Sequence, residues 1–159
     1  MKAKCLYPAS FDPITIGHLD VIERSRILLS QNEKLIVMVA TNKDKNHQFS
    51  IKKRLKMVKK ATENMNNVEV VLFENTISDY LNENEIKILI RGIRNIDDMH
   101  YEQKLEAFTR ATTNTETIYF NCKAKQKDIS SSHVRLLMKM GYTKEVKNLV
   151  PKKIFKFLK

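Results

Sequence analysis

Apolar residues occur along this chain in two alternating rhythms. Unbroken runs such as Leu35-Ile36-Val37-Met38-Val39-Ala40 are separated by segments in which apolar positions recur every three or four residues. A short unbroken run suits a strand covered on both faces, the mark of a parallel sheet. Lys2 to Tyr7 (ended by Pro8), Leu35 to Ala40, Val68 to Phe73, Ile86 to Ile90 and Thr117 to Phe120 are the five predicted strands. Between the first two, Leu19, Ile22, Ile27 and Leu29 predict an amphipathic helix from about Gly17 or His18 to near Ser30-Gln31-Asn32. Ser50 caps a second helix with Ile51, Leu55, Val58 and Ala61 inward. A short helix near Ile77 to Leu81 follows, then a long one from Asp97 to Thr112. Another runs from Ser131 to Met140, stopped by Gly141, and Pro151 opens a final basic helix.

Strands that alternate with helices imply βαβ units. The predicted fold is therefore α/β, a Rossmann-like, doubly wound, five-stranded parallel sheet with helices on both faces. A single domain is expected over residues 1–159, with the segment from about 151 packing on that domain or on a neighbouring subunit. At this length the chain buries enough surface to need no disulfide or structural metal.

Composition narrows the chemistry. With 42% hydrophobic and 30% charged positions, no apolar stretch approaches the ~20 residues of a membrane span, so no membrane partner is expected. Cys5 and Cys122 form no CxxC pair, which argues against zinc and disulfide frameworks and suits a cytoplasmic location. An excess of 29 Lys+Arg over 18 Asp+Glu, a formal charge of +11, implies anionic partners. Lys52, Lys53, Arg54, Lys56, Lys59 and Lys60, and the lysines of the tail, read as solvated faces. With only Phe155 and Phe157 near them they make no specific nucleic-acid reader. His47, His100 and His133 have no ligand-spaced partners and read as ordinary histidines.

In open α/β sheets ligands bind outside the carboxyl ends of the strands. The loop after the first strand holds Ser10, Asp12, Gly17 and His18. A helix start of this kind attracts phosphate: its N–H groups are free, Gly17 allows close approach, and His18 can place an N–H on a phosphoryl oxygen. The same residues also suit a turn serine and an ordinary first helical turn. Asp12 either orients the loop or sits near a metal. Arg91 and Arg94 follow the fourth strand in a chain with 7 arginines against 22 lysines, and are either forked phosphate ligands or surface charges. Ser130-Ser131-Ser132 before Val134 cap a helix, and a capped helix start is itself a phosphate site.

Three motifs carry a resemblance. Ser10-Phe11-Asp12-Pro13 followed by Thr15-Ile16-Gly17-His18 resembles the signature of the nucleotidylyltransferases with a (T/H)xGH motif. Arg91-Gly92-Ile93-Arg94 with Asp98, Tyr101 and Glu102, and Ile129-Ser130-Ser131-Ser132, are similar to further motifs of one bacterial branch, the phosphopantetheine adenylyltransferases. Asn42-x-x-Lys45 with Phe49-Ser50 and Arg54 matches another segment, and the correspondence is collinear from Lys4 to about Pro151. It implies transfer of AMP from ATP to 4′-phosphopantetheine, giving dephospho-coenzyme A and pyrophosphate by in-line displacement without a covalent enzyme intermediate.

The resemblance also implies roles. Ser10, Lys45 and Arg91 would hold the acceptor phosphate, the Ile77 backbone the pantetheine arm, and His18 the transition state; His18, Lys45 and Arg91 form the catalytic set. ATP would lie against Ser10, Phe11, His18, Gly92, Ile93, Arg94, Glu102, Gln126, Lys127, Asp128, Ile129, Ser130, Ser131 and Ser132, with Arg94 and the serines on the β- and γ-phosphates. Glu102 equally suits a solvated helix carboxylate. Mg²⁺ would arrive with ATP, and the family is typically a homohexamer. Two departures stand out: Gln126-Lys127-Asp128 replaces an aromatic-Ser-Phe run, and Ala9 replaces a glycine. Ile129-Ser130-Ser131-x-x-Val134-Arg135 would also suit an adenylyltransferase for nicotinate or nicotinamide mononucleotide, although the stretch from Arg91 to Glu102 favours phosphopantetheine. An alternative of another class is a basic nucleic-acid-binding protein that retains a nucleotide fold.

Overall fold

The computed structural model describes residues 1–41 and 46–158. Five parallel strands form one sheet: β1 (Lys2–Ala9), β2 (Glu33–Ala40), β3 (Val68–Phe73), β4 (Ile88–Ile93) and β5 (Glu116–Asn121), in the order β3-β2-β1-β4-β5. Among the described residues six α-helices accompany them: α1 (Ile16–Ser25), α2 (Ile51–Thr62), α3 (Ile77–Glu83), α4 (Ile96–Thr112), α5 (Ser131–Lys139) and α6 (Thr143–Leu149). Strand order reverses direction between β1 and β4, which splits the crossovers there and leaves a crevice at the carboxyl ends of both strands.

The unbroken apolar runs are explained by two cores. Cys5, Tyr7, Leu35, Val37 and Val39 face one cluster, shared with Val21, Ile22, Met57 and Val134 of the helices; Leu6, Ile36 and Met38 face the other, with Leu81, Ile86 and Leu89. Successive side chains point to opposite faces, and both faces are covered.

Several boundaries differ from the sequence reading, each for a local reason. β1 continues through Pro8 to Ala9, pairing Pro8 with Met38. Its ladder to β4 covers only Cys5 and Leu6, so the missing proline N–H falls where one neighbour has already ended. α1 stops at Ser25 and gives way to a 3-10 turn over Arg26–Leu28, which turns Ile27 out to 80% exposure instead of into the core. β4 extends through Arg91 and Gly92, which pair with Tyr119 and Phe120; these two residues are part of the sheet and not of the loop behind it. Gly141 has φ of 81°, the left-handed backbone that ends α5, and α6 follows as an element the sequence reading did not contain. After Pro151 the chain forms a 3-10 helix, Lys152–Phe157, whose Ile154 is fully buried against the α2 side of the domain.

Candidate active site

A cleft of about 970 Å³ opens at the switch point, lined from both halves of the sheet by Ser10, His18, Arg91, Arg94, Gln126 and Ser130 among others. His18 enters through a capping box. Thr15, in extended conformation, accepts the His18 N–H on its hydroxyl at 3.3 Å, while the imidazole Nδ1 accepts the Thr15 N–H at 3.1 Å and lies 2.9 Å from the Thr15 hydroxyl. With Nδ1 held as acceptor, the neutral ring carries its proton on Nε2. Phe11 packs edge-on at 5.1 Å. Burial of the ring, and secondarily the Arg94 guanidinium, push the His18 pKa down to about 4.

At neutral pH the site therefore presents an uncharged N–H donor. The imidazole resonances of His18 are expected to titrate with a midpoint near 4 by NMR; a midpoint near 6.5 would contradict this environment. The sign for stability follows. The unfolded ring takes up a proton below about pH 6.5 that the folded ring refuses, so the stability His18 confers is complete above 6.5 and is lost as pH falls toward 4.

Four side chains fix the loop that carries His18. Asp12, 3% exposed, accepts the Gln48 N–H on Oδ2 and the Phe49 N–H on Oδ1, each at 2.9 Å. Arg54, 2% exposed on α2, donates to the carbonyls of Ser10 and Ala40, the ends of β1 and β2. Arg135 donates to the Asp12 carbonyl at 2.7 Å and Ser131 to the Pro13 carbonyl at 2.8 Å. The loop is thus bolted to the start of α2 and to the start of α5. Asp12 orients it, with both carboxylate oxygens engaged by backbone donors. Arg54 is no solvated charge, as its place among surface lysines suggested, but a buried clamp. Phe11 sits within this frame at φ of 48°, a strained backbone that the surrounding bonds hold.

The opposite wall comes from β4 and α4. Arg91 lies 3.2 Å from Glu102, both largely buried, so Glu102 is a partner in an ion pair and not a solvated carboxylate. Arg94 forms a fork with Asp98, Nε to Oδ2 at 2.8 Å and Nη2 to Oδ1 at 2.9 Å, which raises its pKa further and keeps it charged. A side chain at Gly92 would bring a Cβ within 3.2 Å of Val21, so glycine here lets β4 approach α1.

The third wall is the start of α5. Ser130 accepts the His133 N–H at 3.0 Å, and Ser132 accepts from Arg135 at 3.2 Å. Two helix starts, α1 and α5, thereby face the same cleft. Gly17 stands between them. A Cβ there would meet Thr15 Oγ1 at 3.6 Å and the Ile129 carbonyl at 4.0 Å, ordinary contact distances, so the fold itself has room for a methyl. Glycine keeps the floor of the cleft low for whatever binds. Gly17→Ala is expected to keep the wild-type Tm within about 2 °C while weakening ATP binding roughly tenfold, read by calorimetry. A lowered Tm with unchanged affinity would contradict that role.

The structure gathers Ser10, Phe11, Ile77, Ile93, Gln126, Ile129 and the serines around the same cleft. It leaves Lys127 and Asp128 exposed and outside it. Lys45 lies outside the described residues. Tyr7, His47 and Cys122 line the cleft without having been marked as site residues; only the fold reveals this, because nothing in their spacing distinguishes them. Arg135, which the sequence marked only through the mononucleotide motif, lines it too. Among the described residues no group of three His, Cys, Asp or Glu is placed to hold a metal ion.

Comparison with known proteins fits this geometry. Residues 6–137 match the family described as cytidylyltransferase-like. A protein of Nautilia profundicola named phosphopantetheine adenylyltransferase is 40% identical over 159 residues, covering 99% of this chain and 100% of its own. Proteins of the same name from Helicobacter pylori strain J99 and Clostridium novyi are 40% and 37% identical, over 96% and 95% of this chain and 95% and 91% of theirs. Among solved structures, Thermotoga maritima TmcAL bound with alpha-thio ATP superposes with a TM-score of 0.62 at 12% identity, covering 99% of this chain and 55% of that longer one. That likeness concerns the fold.

Proposed function

This chain belongs to the phosphopantetheine adenylyltransferases, nucleotidyltransferases of coenzyme A biosynthesis within the cytidylyltransferase-like family, and we propose that its cleft joins ATP to 4′-phosphopantetheine by direct displacement. An oxygen of the acceptor phosphate attacks the α-phosphorus, the bond to the β-phosphate bridging oxygen breaks, and pyrophosphate leaves on the far side. The observation that carries this reading is the convergence of two helix starts on one uncharged N–H donor, His18 Nε2, beside two arginines. Such donors stabilise charge that develops on phosphoryl oxygens, and no protein nucleophile is required.

In this reading His18 donates to the α-phosphoryl oxygens. Ser10, Arg91 and Lys45 hold the acceptor phosphate and Ile77 the pantetheine arm. Arg94 and Ser130 to Ser132 receive the β- and γ-phosphates. Glu102, which pairs with Arg91, contacts the nucleotide. N–H, O–H and guanidinium donors suit a nucleotide whose phosphates carry Mg²⁺ themselves, so the ion would be held mainly by phosphate oxygens and water, where it offsets part of their charge.

The stretch from Arg91 to Glu102 favours phosphopantetheine over a mononucleotide. Arg135, whose motif suits the mononucleotide enzymes, is occupied with Asp12 and Ser132 in the loop clamp. The protein is further proposed to act as a homo-oligomer, a hexamer by its family, in the cytoplasm. Among the described residues no helix is long and apolar enough to cross a membrane.

Pyrophosphate release from MgATP with 4′-phosphopantetheine, nicotinate mononucleotide or nicotinamide mononucleotide as acceptor tests the reading. Turnover with phosphopantetheine alone is expected; turnover with a mononucleotide alone would overturn the acceptor.

A further inference from the structure

A tyrosine hydroxyl stands at the floor of the cleft where the two halves of the sheet separate. The ladder between β1 and β4 covers only Cys5 and Leu6, so the strands part beyond Leu6, and Tyr7 is the next residue. Its side chain packs with Cys5, Phe11 and Val21 on the α1 side of the sheet. The residue is only 4% exposed, yet it lines the cleft. A Cβ added to Gly92 would come within 3.5 Å of Tyr7 Oη, which puts the hydroxyl over the Gly92 backbone. Phe11 spaces this side chain from the catalytic imidazole: its ring meets Tyr7 edge-on at 5.8 Å and His18 edge-on at 5.1 Å.

Packing fixes the ring but leaves the hydroxyl unused. No hydrogen bond joins Tyr7 Oη to another described residue, whereas a phenol this buried ordinarily has a partner. The surroundings define the chemistry of that partner. Burial raises the Tyr7 pKa well above the ordinary tyrosine value; Arg91 pulls it down, Glu102 adds to the rise and Arg94 pulls it down. The net rise keeps the proton on the oxygen, so the group is a neutral donor. The Arg94 guanidinium acts on both Tyr7 and the His18 ring. Two uncharged donors and one guanidinium therefore face one volume, which suits a phosphoryl group whose oxygens gain charge during reaction.

We infer that Tyr7 is a further catalytic residue, its hydroxyl donating to one non-bridging oxygen of the α-phosphate while His18 Nε2 serves the other. The inference rests on the adenylyl-transfer reading above. The hydroxyl keeps its proton throughout and forms no bond to phosphorus, so the displacement itself is unchanged. Tyr7→Phe removes this one oxygen and retains the ring that packs on Phe11.

The test is steady-state kinetics of wild type and Tyr7→Phe with ATP and with each diastereomer of ATP carrying sulfur at the α-phosphate, together with Tm. Tm is expected to stay within about 2 °C. The variant is expected to lose roughly 10- to 30-fold in kcat, with either KM changed by less than about threefold. Sulfur accepts hydrogen bonds weakly, so wild type is penalised when sulfur replaces the oxygen that faces Tyr7. The variant has no such bond to lose, and its preference between the diastereomers is expected to differ from wild type by about fivefold or more. Tyr7→Met, which fills the space without a hydroxyl, is expected to show the same change of preference and guards against a variant that folds poorly. An unchanged kcat would overturn the role of Tyr7. So would a loss of kcat with the diastereomer preference unaltered, the result of a purely structural role. Absence of any wild-type turnover with ATP and phosphopantetheine would overturn the proposed function itself.

Discussion

His18→Ala is expected to lower kcat by about 10²–10³-fold while the KM for ATP changes by less than about threefold. The reason lies in the capping box. Thr15 holds Nδ1, so Nε2–H is the atom offered to the cleft, and the depressed pKa keeps the ring neutral. A neutral donor contributes little to holding a ground-state triphosphate that arginines and helix starts already attract. It contributes most when negative charge gathers on the α-phosphoryl oxygens in the transition state. His18→Asn, which retains an N–H donor but not its reach, should fall between. Steady-state kinetics with saturating phosphopantetheine checks this; an unchanged kcat, or a loss confined to KM, would remove His18 from the chemical step.

Asp12→Ala is expected to destabilise the protein by about 3–5 kcal/mol, read as a lower midpoint in urea denaturation. The carboxylate accepts two backbone N–H groups from the segment before α2 and lies 3.6 Å from Arg135. Alanine would strand the Phe49 donor and leave Arg54 without a nearby counter-charge, and water cannot easily replace a group only 3% exposed. A change below about 1 kcal/mol would show that the loop is held without this clamp. Activity should fall further than stability alone requires, since the Asp12 clamp and the capping box of His18 belong to one loop.

Much of this architecture could be read from the sequence because burial on both faces leaves an unbroken apolar signature: β2 appears where its run predicts it, and β3, at the sheet edge and only partly buried, still keeps enough of the pattern to be found over Val68–Phe73. Residues whose importance is local were also legible. His18 and Ser130 announce themselves by standing at helix starts. What the sequence could not convey depends on distant pairing. Arg54 sits in a helix rich in exposed lysines, and only the proximity of the β1 and β2 ends makes it a buried clamp. Ile27 fits the helical period, but α1 tightens into a 3-10 turn just before it and the side chain turns outward. Arg91 looks like a loop residue after an apolar run. Its pairing with Tyr119 makes it part of the sheet, and this fixes its guanidinium against Glu102.

The central claim is a single in-line displacement at the α-phosphorus, driven by positioned donors and without a protein nucleophile. It is tested most directly with ATP carrying sulfur in one configuration at the α-phosphate, by determining the configuration of the dephospho-coenzyme A phosphorothioate formed from 4′-phosphopantetheine. Inversion is the predicted result, since one displacement reverses the centre once. Retention would mean two displacements through a covalent adenylyl-enzyme, and would contradict the account.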